Sequence, residues 1–129
     1  DFLTKQADEL LTAVEVPMLD GARASYQKLR RRGSFDFPVL GVAAWARCDA
    51  AGVIREARVV LGAVGSHPIQ STEAEAALVG HRLTEEVIDE VSRLVARPAK
   101  PLDNTDFTIG WRKDMVPVFV RRALSALMV

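Results

Sequence analysis

A single cysteine, Cys48, stands among 129 residues, which excludes an intramolecular disulfide framework and fits a reducing, cytoplasmic setting. Glycine-rich loops of the dinucleotide or P-loop type are missing, although the chain holds eight glycines. Such loops cradle phosphates with bare amides, so this chain alone cannot build a nucleotide site of the familiar kinds. Long apolar runs are missing too. The stretch from Val53 to Val64 is broken by Arg55, Glu56 and Arg58, and nothing approaches the roughly 20 apolar residues that cross a bilayer, so no membrane anchor is expected. Neither sign of charge prevails: 17 basic and 17 acidic residues leave a formal net charge of zero, and no overall field draws the chain to nucleic acid or an anionic membrane. The first residue is Asp1 rather than methionine, and no signal-peptide pattern follows. It reads as a cut site, and the chain as a fragment.

What is present suits one soluble domain. Apolar residues make up 49% and charged residues 26%, enough to close a single core and too ordinary a balance for disorder. Residues 1–129 are therefore expected to form one domain. Leu10 to Val16 mixes β-branched residues with partial alternation before Pro17, which predicts a strand. Gly21 to Arg32 is richer in helix formers and positive charge and reads as a short helix or ordered loop, broken by Gly33 and Ser34. Pro38 opens a second strand through Trp45, and Cys48-Asp-Ala-Ala-Gly52 is a hairpin signal before a third, within Val53 to Val64.

The period then changes. Thr72 and Glu75 have capping-box spacing ahead of Ala76, Ala77 and Leu78, with Gly80 as a stop. Thr84 can cap a second helix whose Val87, Ile88, Val91, Leu94 and Val95 recur at helical spacing. A third amphipathic segment runs from Trp111 to about Leu127 around Pro117, which implies a kink or a start only a turn earlier. Strands followed by helices predict an α+β fold: an antiparallel sheet of three or four strands followed by three helices packed on one face.

Few constellations promise chemistry. His67 and His81 lack cysteine or carboxylate neighbours at metal-ligand spacing, so no metal site is expected. Ser66-His67 has no nucleophile-elbow context, and Cys48 has only Arg47 as a cationic neighbour, so no catalytic residue is assigned. Trp45, Trp111, Phe119 and the methionines fall at spacings of core packing. The densest charge cluster is Lys28-Leu-Arg30-Arg31-Arg32, followed by Asp36. It reads as an anion or cofactor contact near a sheet edge, or as a solvated basic turn. With only Tyr26 and Phe35 as nearby aromatics, it offers no stacking platform for nucleic acid.

Glu9-Leu-Leu-Thr-Ala-Val-Glu-Val-Pro17, then Tyr26-x-Lys28-x-x-x-Arg32-x-Ser34-Phe35-Asp36-Phe37-Pro38, then Val42-Ala43-Ala44 resembles the C-terminal domain of the FAD-binding medium subunit in the xanthine dehydrogenase and carbon monoxide dehydrogenase family of molybdenum hydroxylases. Gly52 with Ile54 and Arg58, Gly62 to Pro68, Glu75 with Leu78 and Gly80, Trp111-Arg112 and Arg121-Arg122-Ala123-Leu124 extend the likeness over nearly the whole chain. The resemblance implies the CO dehydrogenase flavoprotein C-terminal domain sandwich, part of a FAD-dependent oxidoreductase and inactive in isolation. It implies FAD held against an upstream FAD-binding domain missing here, and not retained by this domain alone. It implies iron-sulfur and molybdopterin subunits as partners, with electrons passing through FAD to an acceptor. It places Lys28 beside the flavin, with Arg32 and Asp36 framing the turn. A stand-alone, non-enzymatic interaction domain of the same fold is the competing reading.

Overall fold

Along Leu40–Cys48, residues 40, 42, 44 and 46 are buried while Ala43 is exposed and Trp45 and Arg47 half-buried. That period of two makes a strand with one covered face. The computed structural model describes residues 4, 6–33 and 35–128. Asp1, read as a cut site, and Ser34, read as a breaker, lie outside them.

Four strands form one sheet: β1 (Ala22–Leu29), β2 (Leu40–Cys48), β3 (Ile54–Gly62) and the short β4 (Ile69–Gln70), paired antiparallel in chain order. Three helices follow: α1 (Thr72–Leu78), α2 (Glu85–Ala96) and α3 (Ile109–Ser125). They cover one sheet face, α3 against β1 and β2, α1 against β3, and α2 against its two fellow helices. The α+β sheet with helices on one face is as the sequence predicts.

The β2–β3 hairpin is tied by Asp49, whose carboxylate accepts the amides of Ala51 and Val53 while Arg55 pairs with it. Gly52 closes the turn at φ 76°, a left-handed conformation that only glycine adopts freely. A register shift between Arg47 and Cys48 then sets Arg47 opposite Glu56 but Cys48 opposite Ile54. This irregularity lets Ile54 and Ala57 both face the core although three positions apart. Val42, Ile54, Val59 and Leu61 meet Leu78, Ile88, Val91, Val95, Val116, Phe119, Val120 and Leu124 in one cluster. Each such side chain contributes roughly 1.5–3 kcal/mol by leaving water.

Several expectations are corrected. Leu10 to Val16 is not a strand: it lies outside the sheet with its side chains in solvent, and β-propensity without a partner ladder forms no strand. Gly21 to Arg32 is not a helix or loop but contains β1, whose helix-forming residues are overridden by eight consecutive pairs with β2. The second strand begins at Leu40 rather than Pro38. Thr72 and Glu75 make no capping box. Ser71 is the N-cap, without a side-chain cap bond, and the Glu75 carboxylate accepts from the Val59 amide at 3.1 Å and Gln70 Nε2 at 2.9 Å, bolting α1 to the sheet. Thr84 does cap α2. α3 begins two turns before Pro117, at the Thr108 cap that accepts the Trp111 amide. Trp45 and Trp111 are only part-covered and Met18 is 99% exposed, so of the side chains read as core Phe119 is the one fully within it and Met115 packs at its edge.

Truncations of Leu61→Ala or Ile88→Ala, at fully buried positions, are expected to lower unfolding free energy by about 2–5 kcal/mol each in urea melts. Phe35→Ala, 89% exposed, should change it by less than about 0.5 kcal/mol. Comparable losses at all three would contradict a core confined to one sheet face.

Candidate flavin-facing surface

The face of the sheet away from the helices carries no layer of helix or strand among the described residues, and residues 16–20 border it at Ala24 and Trp45. Register places Ala24, Tyr26 and Lys28 of β1 beside Trp45, Ala43 and Gly41 of β2, and these beside Arg58, Val60 and Gly62 of β3. Gly41 leaves room there. A Cβ at this position would sit 2.9 Å from the Tyr26 hydroxyl, so the missing side chain lets the phenol lie across the sheet. Tyr26, Ala43, Trp45, Val60 and the stem of Arg58 outline a shallow, mainly apolar cavity of about 400 Å³. Tyr26 remains 61% exposed above it.

At the end of this face the chain turns from β1 to β2, and here Lys28, Arg32 and Asp36 come together. Lys28 Nζ donates to the main-chain oxygen of Asp36 at 2.6 Å. One carboxylate oxygen of Asp36 accepts the amides of Arg31 at 3.1 Å and Arg32 at 2.9 Å, and the other accepts the amide of Phe37 at 2.9 Å. The Arg32 guanidinium lies 3.7 Å from that second oxygen and is largely in water. The Arg32 amide above all, with those of Phe37 and Arg31 and the Arg32 charge, holds the Asp36 carboxyl below its ordinary range. Arg31 pairs with Asp106 of the loop between α2 and α3.

A residue the sequence reading passed over lies under this turn. Arg112, in the first turn of α3, is 1% exposed. Nη1 donates to the Leu102 oxygen at 2.5 Å and Asn104 Oδ1 at 2.8 Å, and Nη2 donates to the oxygens of Val39 at 3.0 Å and Ala63 at 2.5 Å. These acceptors are all neutral, Nε is buried without a partner, and burial pushes the guanidinium below its usual basicity. Ala63, at φ 65°, holds a left-handed conformation that costs a non-glycine residue about 1 kcal/mol. Only the Trp111-Arg112 pair within the resemblance pointed this way; apolar periodicity, which ignores arginine, cannot find a buried guanidinium.

Other candidates are dispersed. Ser66 Oγ and His67 Nδ1 lie 3.1 Å apart on an exposed loop. The Arg47 guanidinium beside Cys48 is engaged by Glu56. Among the described residues no group of three or more histidine, cysteine or carboxylate side chains could hold a metal, and no helix is long and apolar enough to cross a membrane.

Residues 24–127 match the family model of the CO dehydrogenase flavoprotein C-terminal domain. The chain belongs to that family, the C-terminal domain of the FAD subunit in molybdenum hydroxylases. It is 26% identical over 117 residues to the glyceraldehyde dehydrogenase medium chain of Sulfolobus acidocaldarius, covering 91% of this chain and 41% of that one. It is 35% identical over 85 residues to the nicotinate dehydrogenase FAD-subunit of Eubacterium barkeri, covering 65% and 29%. A carbon monoxide dehydrogenase structure from Hydrogenophaga pseudoflava, lacking the Mo-pyranopterin moiety of its cofactor, shares the fold. Its TM-score is 0.78 at 24% identity, over 85% of this chain and 38% of that one. The flavoprotein domain thus spans well under half the length of these relatives.

The Asp36 frame makes the turn acid-sensitive. A carboxyl depressed in the folded state contributes stability that is complete above its unfolded pKa and fades as pH falls through the folded one. Amide exchange at Arg31 and Arg32 is therefore expected to be slow above about pH 4 and to quicken, relative to the intrinsic rate, below it. Asp36→Asn should abolish that acid dependence; retention of it would show that other groups hold the turn.

Proposed function

We propose that this domain supplies one wall of the flavin pocket in the FAD subunit of a molybdenum hydroxylase, and that its open sheet face and β1–β2 turn face the isoalloxazine. What supports the reading is the convergence of an exposed phenol, an apolar shelf and a half-buried lysine on the uncovered face of a sheet whose opposite face is sealed by helices. A flat apolar shelf suits a planar ring system. Lys28 spends one N–H on the Asp36 oxygen and has two further donors to offer a ligand. The relatives' names, a FAD-subunit among them, point the same way.

FAD, when bound, supplies the electron-carrying chemistry, between iron-sulfur clusters and an acceptor. This chain's part is to exclude water from one side of the ring and to hold a positive charge where a reduced flavin would carry a negative one. The remainder of the site belongs to an upstream FAD-binding domain, and iron-sulfur and molybdopterin subunits complete the complex in the cytoplasm. The isolated domain has no catalytic residue of its own and is inactive without them. Lys28, Arg32 and Asp36 are the proposed cofactor-facing set: Lys28 in contact, the other two as its frame.

In the full-length subunit, Lys28→Ala should weaken FAD retention by about tenfold, the scale of one charge-assisted hydrogen bond, and move the flavin potential to more negative values. FAD titration and spectroelectrochemistry read both. Unchanged retention together with an unchanged potential would sink the role of Lys28.

A further inference from the structure

We propose that Arg112 is a positioning residue for the flavin face, setting the β1–β2 turn through bonds to three loops; the proposal rests on the reading of that face given above. Its acceptors belong to the exit of the β1–β2 turn (Val39), the β3–β4 turn (Ala63) and the α2–α3 loop (Leu102 and Asn104), which meet at one end of the sheet. Two routes lead from it to Lys28. Directly, Arg112 fixes the Val39 oxygen one residue after Pro38, whose ring stiffens the link back to Phe37 and Asp36. Asp36 then accepts the Phe37 amide and offers its own main-chain oxygen to Lys28. Indirectly, Arg112 holds the α2–α3 loop at Leu102 and Asn104, and Asp106 of the same loop grips Arg31, whose amide is bound by Asp36.

Placement across three loops gives Arg112 a positioning role beyond a stabilising one. A guanidinium removed from water without a carboxylate, and with Nε unsatisfied, carries a desolvation cost that its four bonds to neutral oxygens offset, and an apolar side chain of its size would leave those oxygens unpaired. What the apolar side chain could not do is bind four oxygens on three loops at once. The rigid fork of arginine does that, and the point charge of lysine does not.

The test uses the full-length FAD subunit, with Arg112→Met, Arg112→Lys, Lys28→Ala and a control, Val91→Ala, which empties space in the core away from the loops. FAD affinity, visible circular dichroism of the bound flavin and Tm are measured together. Both Arg112 variants are expected to bind FAD about tenfold more weakly, a loss of the kind that sub-ångström misplacement of a supporting shell produces, and to alter the flavin dichroism. Val91→Ala should lower Tm yet keep affinity within about twofold of the parent. Parent-like affinity and dichroism in Arg112→Met, or an equal loss in Val91→Ala, would overturn the proposal, as would full rescue by Arg112→Lys. Should Arg112→Met fail to fold, Asn104→Ala removes the side-chain acceptor from the exposed loop, and parent-like flavin dichroism there would overturn it equally. Silence of Lys28→Ala as well would remove the flavin-face reading itself, whereas an effect of Lys28→Ala alone removes only the role of Arg112.

Discussion

Everything in this domain depends on the burial of one face of a four-stranded sheet beneath three helices. Because side chains alternate along a strand, sealing Leu40, Val42, Ala44 and Ala46 beneath helices necessarily leaves Gly41, Ala43, Trp45 and Arg47 on the far side. The core and the candidate site are thus two faces of the same residues' backbone. A strand held by its buried face presents its other face with little freedom, which is what a cofactor wall requires. The open face has no need of its own stabilising interactions and can be given over to small residues, a glycine gap and one exposed phenol.

The same alternation decides what could be read in the sequence. β2, the β2–β3 hairpin and α2 announce themselves, since their apolar positions recur at two or at 3.6 residues and their turns carry Asp49, Gly52 and Thr84 where turn chemistry needs them. β1 does not. It is an edge strand with only half-buried and exposed side chains, Ala22 to Leu29, so the signal of a covered face is absent, and its identity comes from pairing with β2 far along the chain. Leu10 to Val16 shows the reverse error: a strand-like composition without a ladder. At Thr72 and Glu75 local spacing suggested a cap, while the carboxylate serves a partner on β3 instead. Each miss turns on tertiary pairing, gained at β1 and Glu75 and lacking at Leu10 to Val16, that a local pattern does not report.

The site was legible to a different degree. Lys28, Arg32 and Asp36 were legible as a cluster because they lie within nine residues, and the turn that joins β1 to β2 brings them together without help from distant sequence. Their proposed role comes from resemblance alone; composition and spacing favoured a solvated basic turn. Tyr26, Trp45, Val60 and Arg58 gather only through strand register, and Arg112 only through the packing of α3 beneath three loops. No local pattern encodes such convergences.

Charge in this chain is therefore better understood as stitching than as field. Zero net charge is consistent with the way its arginines are used: Arg55 on Asp49, Arg97 on Glu73, Arg121 on Asp89 and Arg31 on Asp106. These exposed pairs contribute little individually and weaken as salt screens them. Arg112 differs in kind, since its side chain is buried and its partners are uncharged oxygens, so salt has no ion pair to screen. Of the two routes that join the loop cluster to the Lys28 turn, the one through Arg31 and Asp106 should loosen with ionic strength, and the one through Val39 should not. The geometry of the turn then rests on hydrogen bonds to neutral oxygens and on one carboxylate among amides. Such a turn tolerates salt and is vulnerable to acid.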